Sequence, residues 1–330
     1  MTLNVSNPGA RGPELSSSSS SEKKALKQKT LKSSIGCMGV GLHTGARVAM
    51  KLHPAPPGSG IVFRRVDLVG GGAVIPAHWT RVVDSRMCTV IADSGGVSVA
   101  TVEHLMSAFY GLNVDNAVVE INGPEVPAMD GSAHPFIFLM ECAGLVEQDA
   151  PRKALRILRP TTYVNGNKKV ALGPSSGGLI VDFEIDFKAA AIGRQACSFQ
   201  VETELFRSEV CRARTFGLLS EVTALREAGL ARGGSLENAI VVDGERILND
   251  DGLRCANEFV FHKALDAVGD MYLSGYPIIG HFFGSRSSHA DTSRLMRDVL
   301  SDRSRWDIVD MEQDDLTAAW RNPVGLAATA

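Results

Sequence analysis

Two stretches of this chain run through the same succession: strands, a helix, a strand and a second helix. Between them stands a polar segment with a proline, "EQDAPRKAL" (147–155). In the first stretch, "ARVAMKLHP" and "IVFRRVDL" are β-rich runs punctuated by "APPGSG". "VSVA" then leads into "TVEHLMSAFYGL", where Val102, Leu105, Met106 and Phe109 recur at helical spacing and Thr101 is placed to cap. "NAVVEIN" reads as a strand, and "PFIFLMECAGLV" as a helix opened by Pro135. The second stretch offers the strand "GLIVDFEIDF", the helix "TFGLLSEVTALREAGL" and a hairpin of "NAIVVD" and "RILN". A long helix over 257–275, the strand "YPIIGHFFG" and a closing helix "ADTSRLMRDVLSD" follow. This grammar predicts an α+β fold of sheets backed by helices. With 330 residues, two domains are expected, over 26–148 and 149–322. Residues 1–25 are Ser-rich and polar, with no apolar segment of a secretory signal, and read as a disordered extension; 323–330 read as a flexible tail.

Composition matters here for what it excludes. A net charge of −3 and 22% charged residues give no basic track for nucleic acid. No apolar run of about 18 residues is present, so no transmembrane segment is expected, at most peripheral membrane contact. The six cysteines are scattered without a CxxC pair, which suits reduced thiols in a cytoplasmic protein and leaves a zinc ribbon without support.

The helix "NEFVFHKALDAVGDMYLSG" (257–275) poses the chemical question. It is too apolar for a surface element, yet His262, Asp266 and Asp270 stack along one side at i, i+4 and i+8. An imidazole and a carboxylate at i and i+4 can bind one cation, although such a pair is more often an intrahelical hydrogen bond. Lys263 stands alongside. In "TVEHL", Glu103 and His104 are consecutive in a helix's first turn, about 100° apart in azimuth. They suit a base beside a ligand, or simply polar residues favoured by the helix dipole. In "SRSSHADT", His289 lies between a strand and a helix, and a carboxylate such as Asp270 would bias it toward protonation. His53 and His78 read as solvent-facing, His134 and His281 as structural. Two histidines and an aspartate with a spare glutamate and histidine describe a three-ligand catalytic zinc site, hence a metal-assisted amide or ester hydrolase.

The motifs "GVGLHTG" (39–45), "TVEHL" (101–105), "NGPEVPAMDGSA" (122–133), "RARTFG" (212–217), "NDDGLR" (249–254) and "HKALDAVGD" (262–270) occur in one order. In them the chain resembles the UDP-3-O-acyl-N-acetylglucosamine deacetylases of lipid A synthesis, from about Lys27 to about Asn322. The resemblance implies two domains of similar topology, each a sheet with paired helices, their helical layers facing each other, and an insert in each, placed around 64–92 and 188–212. It implies a zinc ion (Zn2+) on His104, His262 and Asp266, Glu103 as general base, and His289 supported by Asp270 as proton donor. Thr215 would help hold the oxyanion, and Lys263 would meet the diphosphate. Asp186 and Phe187 match positions that hold uracil. The implied partner is a UDP-linked acylated amino sugar, and a monomer is expected. Cys88 matches a cysteine near the metal and is given no catalytic role.

The sequence departs from the family in places. Ala189 and Ala190 stand where a His-Pro pair is frequent, and Arg286 replaces a common lysine, keeping the charge but presenting a planar fork. For the acyl chain, the segment "IGRQACSFQVETELF" offers Ile192, Phe199, Val201 and Phe206 as a tunnel lining, or equally as the insert's own small core. Two other readings stand beside the deacetylase: a zinc hydrolase of different specificity and a non-catalytic metal-binding module. A base beside an open metal position argues against the module, and Phe187 with Lys263 argues for a nucleotide substrate.

Overall fold

The computed structural model describes residues 25–68 and 72–312. The Ser-rich extension up to residue 24 and the expected tail lie outside them. Six α-helices occur among the described residues: α1 (Glu103–Gly111), α2 (His134–Ala143), α3 (Thr203–Ser208), α4 (Leu219–Glu227), α5 (Glu258–Tyr272) and α6 (His289–Leu300). The fold is α+β. One five-stranded sheet runs Ile35–Val40, Arg47–Pro54, Ala117–Ile121, Ile61–Arg65, Ala73–Pro76 in spatial order. A seven-stranded sheet in the second half is organised around Ile278–Ser285, which pairs antiparallel with Lys168–Gly173 and parallel with Leu179–Asp186.

Four of these helices, α1, α2, α5 and α6, lie between the two sheets. α2 packs on Ile35–Val40 and on α1; α6 packs on α5 and on the strands Thr161–Asn165 and Lys168–Gly173; α1 lies along α5. All of α1 is buried, which is why an apolar helix carries so few charges. The core is correspondingly continuous, from Leu31 through Leu105, Phe109 and Leu265 to Leu300. Gly269 sets how closely α1 and α5 approach. A Cβ there would stand 2.0 Å from the Glu103 carbonyl oxygen, so only glycine admits the backbone of α1.

Several local expectations change. The separating stretch 147–155 is strand over most of its length: Leu145–Pro151 pairs with Lys27–Leu31, and Lys153–Ile157 joins the larger sheet. Polar residues suit it because an edge pair leaves one face in solvent. Thr101 does not cap α1; Val102 precedes the helix, while Thr101 takes a φ of 57° and donates its hydroxyl to Glu125 Oε1 at 3.0 Å. The expected helix over 215–230 begins only at Leu219. Phe216–Leu218 is a strand, parallel to Ile240–Asp243, so α4 is the crossover of a small βαβ unit. After α6 a further strand, Trp306–Asp310, closes against Lys153–Ile157. His281 is buried as expected, but it has an acidic partner, Asp182 Oδ2 at 2.7 Å, on the neighbouring strand. His53 sits on a strand rather than a loop edge and bonds Ser34 and Glu120.

Candidate metal centre and active site

The close approach at Gly269 brings the first turn of α1 onto the polar face of α5. His104 Nε2 and His262 Nε2 each stand 3.4 Å from Asp266 Oδ1, and the two imidazoles meet edge to face. All three residues are at most 5% exposed, and their ligand atoms lie within 4.8 Å of one another. His262 Nδ1 lies 3.1 Å from the Ala213 carbonyl, which can only accept, so the ring carries its proton there and turns the Nε2 lone pair inward. Burial lowers the His262 pKa to about 3, which keeps the imidazole neutral. Burial also works against a charged His104, but the contact with Asp266 outweighs it and raises that pKa.

Asp266 Oδ1 is buried without a hydrogen-bond partner. An anionic oxygen so placed is costly unless a cation answers it. Two imidazole nitrogens and one carboxylate match a catalytic zinc donor set, and the three residues fit such an ion. The other oxygen, Oδ2, takes Lys263 Nζ at 3.1 Å.

Around this triad stand Glu103 and His289. Glu103 Oε2 accepts the Thr89 backbone N–H at 3.1 Å, and Oε1 lies 3.8 Å from His289 Nε2. Burial raises the Glu103 pKa even though His289 and His104 oppose it. His289 opens α6, after Ser288 as its cap; Asp291 completes a capping box by accepting from the Ser288 N–H and hydroxyl. His289 Nδ1 meets Asp270 Oδ2 at 2.8 Å. Burial alone would lower the His289 pKa, but Asp270, Glu103 and Asp266 raise it to about 9. Thr89 joins the two halves of this arrangement, because its hydroxyl donates to Asp270 Oδ1 while its N–H serves Glu103.

Two cavities meet at the triad. One, of about 410 Å³, is apolar and walled by Leu42, Phe216, Leu219, Val222, Leu225 and Leu236. The other, of about 500 Å³, is bordered by Lys168, Asp186, Phe187, Lys263 and Arg286. His262, Asp266, His289 and Thr215 border both. The expectation that Ile192, Phe199, Val201 and Phe206 line the apolar space is overturned, since none of them borders it. They pack into the core instead. Phe206 lies on α1 where Gly111 leaves room; a Cβ there would meet the ring at 2.2 Å. Most of the apolar wall comes from the βαβ unit around α4, with Leu42 added from the first half of the chain.

Each of the remaining expected residues has a definite place. Arg286 is bidentate on Asp186 Oδ2, through Nη2 at 2.7 Å and Nε at 3.2 Å, at the rim of the polar cavity. Phe187 packs edge-on against Phe216 at 5.5 Å. Thr215 is fixed by its backbone, with its N–H on the Gly131 carbonyl and its own carbonyl accepting from Ile240. Cys88 is buried, and burial together with Glu103 pushes its thiol up to about 12, so it is a neutral wall residue.

Sequence reasoning missed three supports. Thr89 is one. Glu125 is another: fully buried, it accepts from the His43 and Thr44 N–H groups and from the Thr44 and Thr101 hydroxyls, tying "GLHTG" beside the site. The third is the pair Arg214 and Glu258, 2.8 Å apart, with Asp251 also on Arg214. It joins "RARTFG" to "NDDGLR" and to the start of α5. These motifs were visible, but only their convergence in space tells that they hold Thr215 and His262 in place.

Residues 28–301 match the family model for UDP-3-O-acyl N-acetylglycosamine deacetylase. The chain belongs to this family. A curated relative from Acidithiobacillus ferrooxidans, named UDP-3-O-acyl-N-acetylglucosamine deacetylase, is 50% identical over 287 residues, covering 86% of this chain and 93% of its own. Relatives of the same name from Pseudomonas entomophila (48%, over 87% of this chain and 94% of the relative) and Methylococcus capsulatus (47%, over 88% and 95%) agree. The matched span contains all the residues discussed around the triad, so the family resemblance and the geometry concern the same part of the molecule.

Proposed function

We propose that the chain hydrolyses the N-acetyl group of UDP-3-O-acyl-N-acetylglucosamine, giving acetate and the free amine, the committed step of lipid A biosynthesis. The observation that carries the reading is the convergence of His104, His262 and Asp266, with Glu103 and His289 beside them, where an apolar and a basic cavity join. His104, His262 and Asp266 would hold a zinc ion, which supplies Lewis acidity to water and to the amide carbonyl.

Glu103 acts as the base. Its carboxylate is positioned by Thr89 and has a raised pKa, which suits proton acceptance near neutral pH. His289, protonated and oriented through Nδ1 by Asp270, presents Nε2 to the departing nitrogen. Thr215, which borders both cavities, would serve as an oxyanion donor. The apolar cavity suits an acyl chain. In the polar one, Lys263 and Arg286 suit the diphosphate and sugar, Phe187 a uracil face and Asp186 its edge. First-half residues (26–148) bring the base and one ligand, second-half residues (149–322) the rest, so a single chain suffices and a monomer is proposed. No helix among the described residues is long and apolar enough to cross a membrane. Six free cysteines favour the cytoplasm as the place of action.

The decisive experiment separates metal binding from proton transfer. Glu103→Ala should keep near-stoichiometric zinc and lose about 10²–10⁴-fold in kcat, measured as acetate release from the UDP-linked substrate. Wild-type turnover in that variant would sink the mechanism. Full wild-type activity after exhaustive chelation would sink the metal site.

A further inference from the structure

Hydrolysis breaks the amide C–N bond, places the water oxygen on the acyl carbon and leaves a proton on the nitrogen. Each turnover therefore admits one water and releases one acetate. On the reading proposed above, the acyl chain fills the apolar cavity and the nucleotide fills the polar one. Both approaches to the triad are then stopped by the same molecule until the amine product leaves.

A third cavity, of about 610 Å³, lies beside the apolar one, separated from the triad by a wall. Cys88, Val90, Ala100, Ala228 and Leu230 wall it, and it meets the apolar cavity at His43 and Met87, which border both. The partition is thin. Thr89, next in sequence to Cys88, donates to Glu103, and Thr101, next to Ala100, borders the apolar cavity. Met87 is 46% exposed and unbranched, so its thioether can swing without moving the backbone.

The walls neither repel nor trap a small anion. The Glu125 carboxylate, though it borders the space, is taken up by two N–H groups and two hydroxyls. The Cys88 thiol is neutral. At the mouth, the Arg86 guanidinium is 84% exposed and bonded to Asp84, a weak attraction that water screens.

We propose that this third cavity is the passage by which water enters and the small carboxylate product leaves while the nucleotide sugar is still bound. It predicts an order of release, acetate first. Against the nucleotide-sugar substrate, acetate should then inhibit non-competitively and the amine product competitively. Ala228→Trp, on an exposed wall position outside the catalytic set, should place an indole in the mouth. With zinc content and circular dichroism unchanged, it should lower kcat roughly tenfold, because release becomes limiting, and turn acetate inhibition competitive. Ala228→Ser should behave as wild type. Competitive inhibition by acetate in the wild type would overturn the proposal, as would an Ala228→Trp enzyme that keeps the wild-type inhibition pattern. A wild-type protein that releases no acetate would instead refute the deacetylase reading, so the two failures are distinguishable.

Discussion

Replacing Gly269 by alanine should damage this protein, although the same change in an ordinary helix interior stabilises by up to about 1 kcal/mol. The new Cβ would lie 2.0 Å from the Glu103 carbonyl oxygen and 2.8 Å from its carbonyl carbon. Both are backbone atoms, so no rotamer change relieves the clash. The shortfall from the 3.4 Å at which ordinary contact begins is about 1.4 Å, and α1 and α5 must part or shear by that order. His104 rides on α1, and His262 and Asp266 ride on α5. Metal–ligand bonds of about 2.0–2.2 Å tolerate errors of about 0.2 Å, several times less than the displacement. Zinc affinity should therefore fall by at least about 10–100-fold, read by competition with a chromogenic chelator. Turnover should fall further, because Glu103 moves with His104: about a hundredfold in kcat/KM, or about 2.7 kcal/mol. Overpacking should also cost about 1–3 kcal/mol of stability in the metal-free protein. A Gly269→Ala protein with wild-type zinc affinity and a kcat/KM within a factor of about two would refute the idea that this contact sets the geometry.

Two further outcomes follow from the same geometry. His289 has a pKa raised to about 9, so the protonated donor persists through neutral pH and is lost as pH rises through that value. Asp270 is the largest of the groups raising it, so Asp270→Asn should move the basic limb of the kcat/KM profile to lower pH, by roughly a unit or more, and a limb left in place would contradict the pairing. Val222→Trp should shorten the apolar cavity and cost about 0.8 kcal/mol in kcat/KM for each acyl CH₂ that no longer fits. Short-chain substrates should be spared, and an equal loss at every chain length would place the acyl group elsewhere.

Much of the candidate site was legible because its parts are local. His262, Asp266 and Asp270 share a helix face by spacing alone, and Glu103–His104 opens a helix with an apolar remainder. The strand-and-helix grammar was equally legible, since periodicity and turn residues act over a few positions. Errors arose where a local signal had two outcomes. Phe216–Leu218 continues a helical pattern, yet pairs with Ile240–Asp243. Alternation in 192–206 spoke for burial but not for which side of the wall. Phe206 met α1 at Gly111, whereas the apolar cavity took Val222 and Leu225 from α4.

The sequence by itself determined the residue types for the proposed chemistry, the class of fold and the helix that carries most of the candidate metal donors. Tertiary structure alone decided how they meet. Gly269 admits the backbone of α1, Thr89 links Glu103 to Asp270, and Arg214 with Glu258 binds distant motifs together. Those contacts depend on closing long loops and on packing at fixed distances, and neither leaves a periodic trace in the chain.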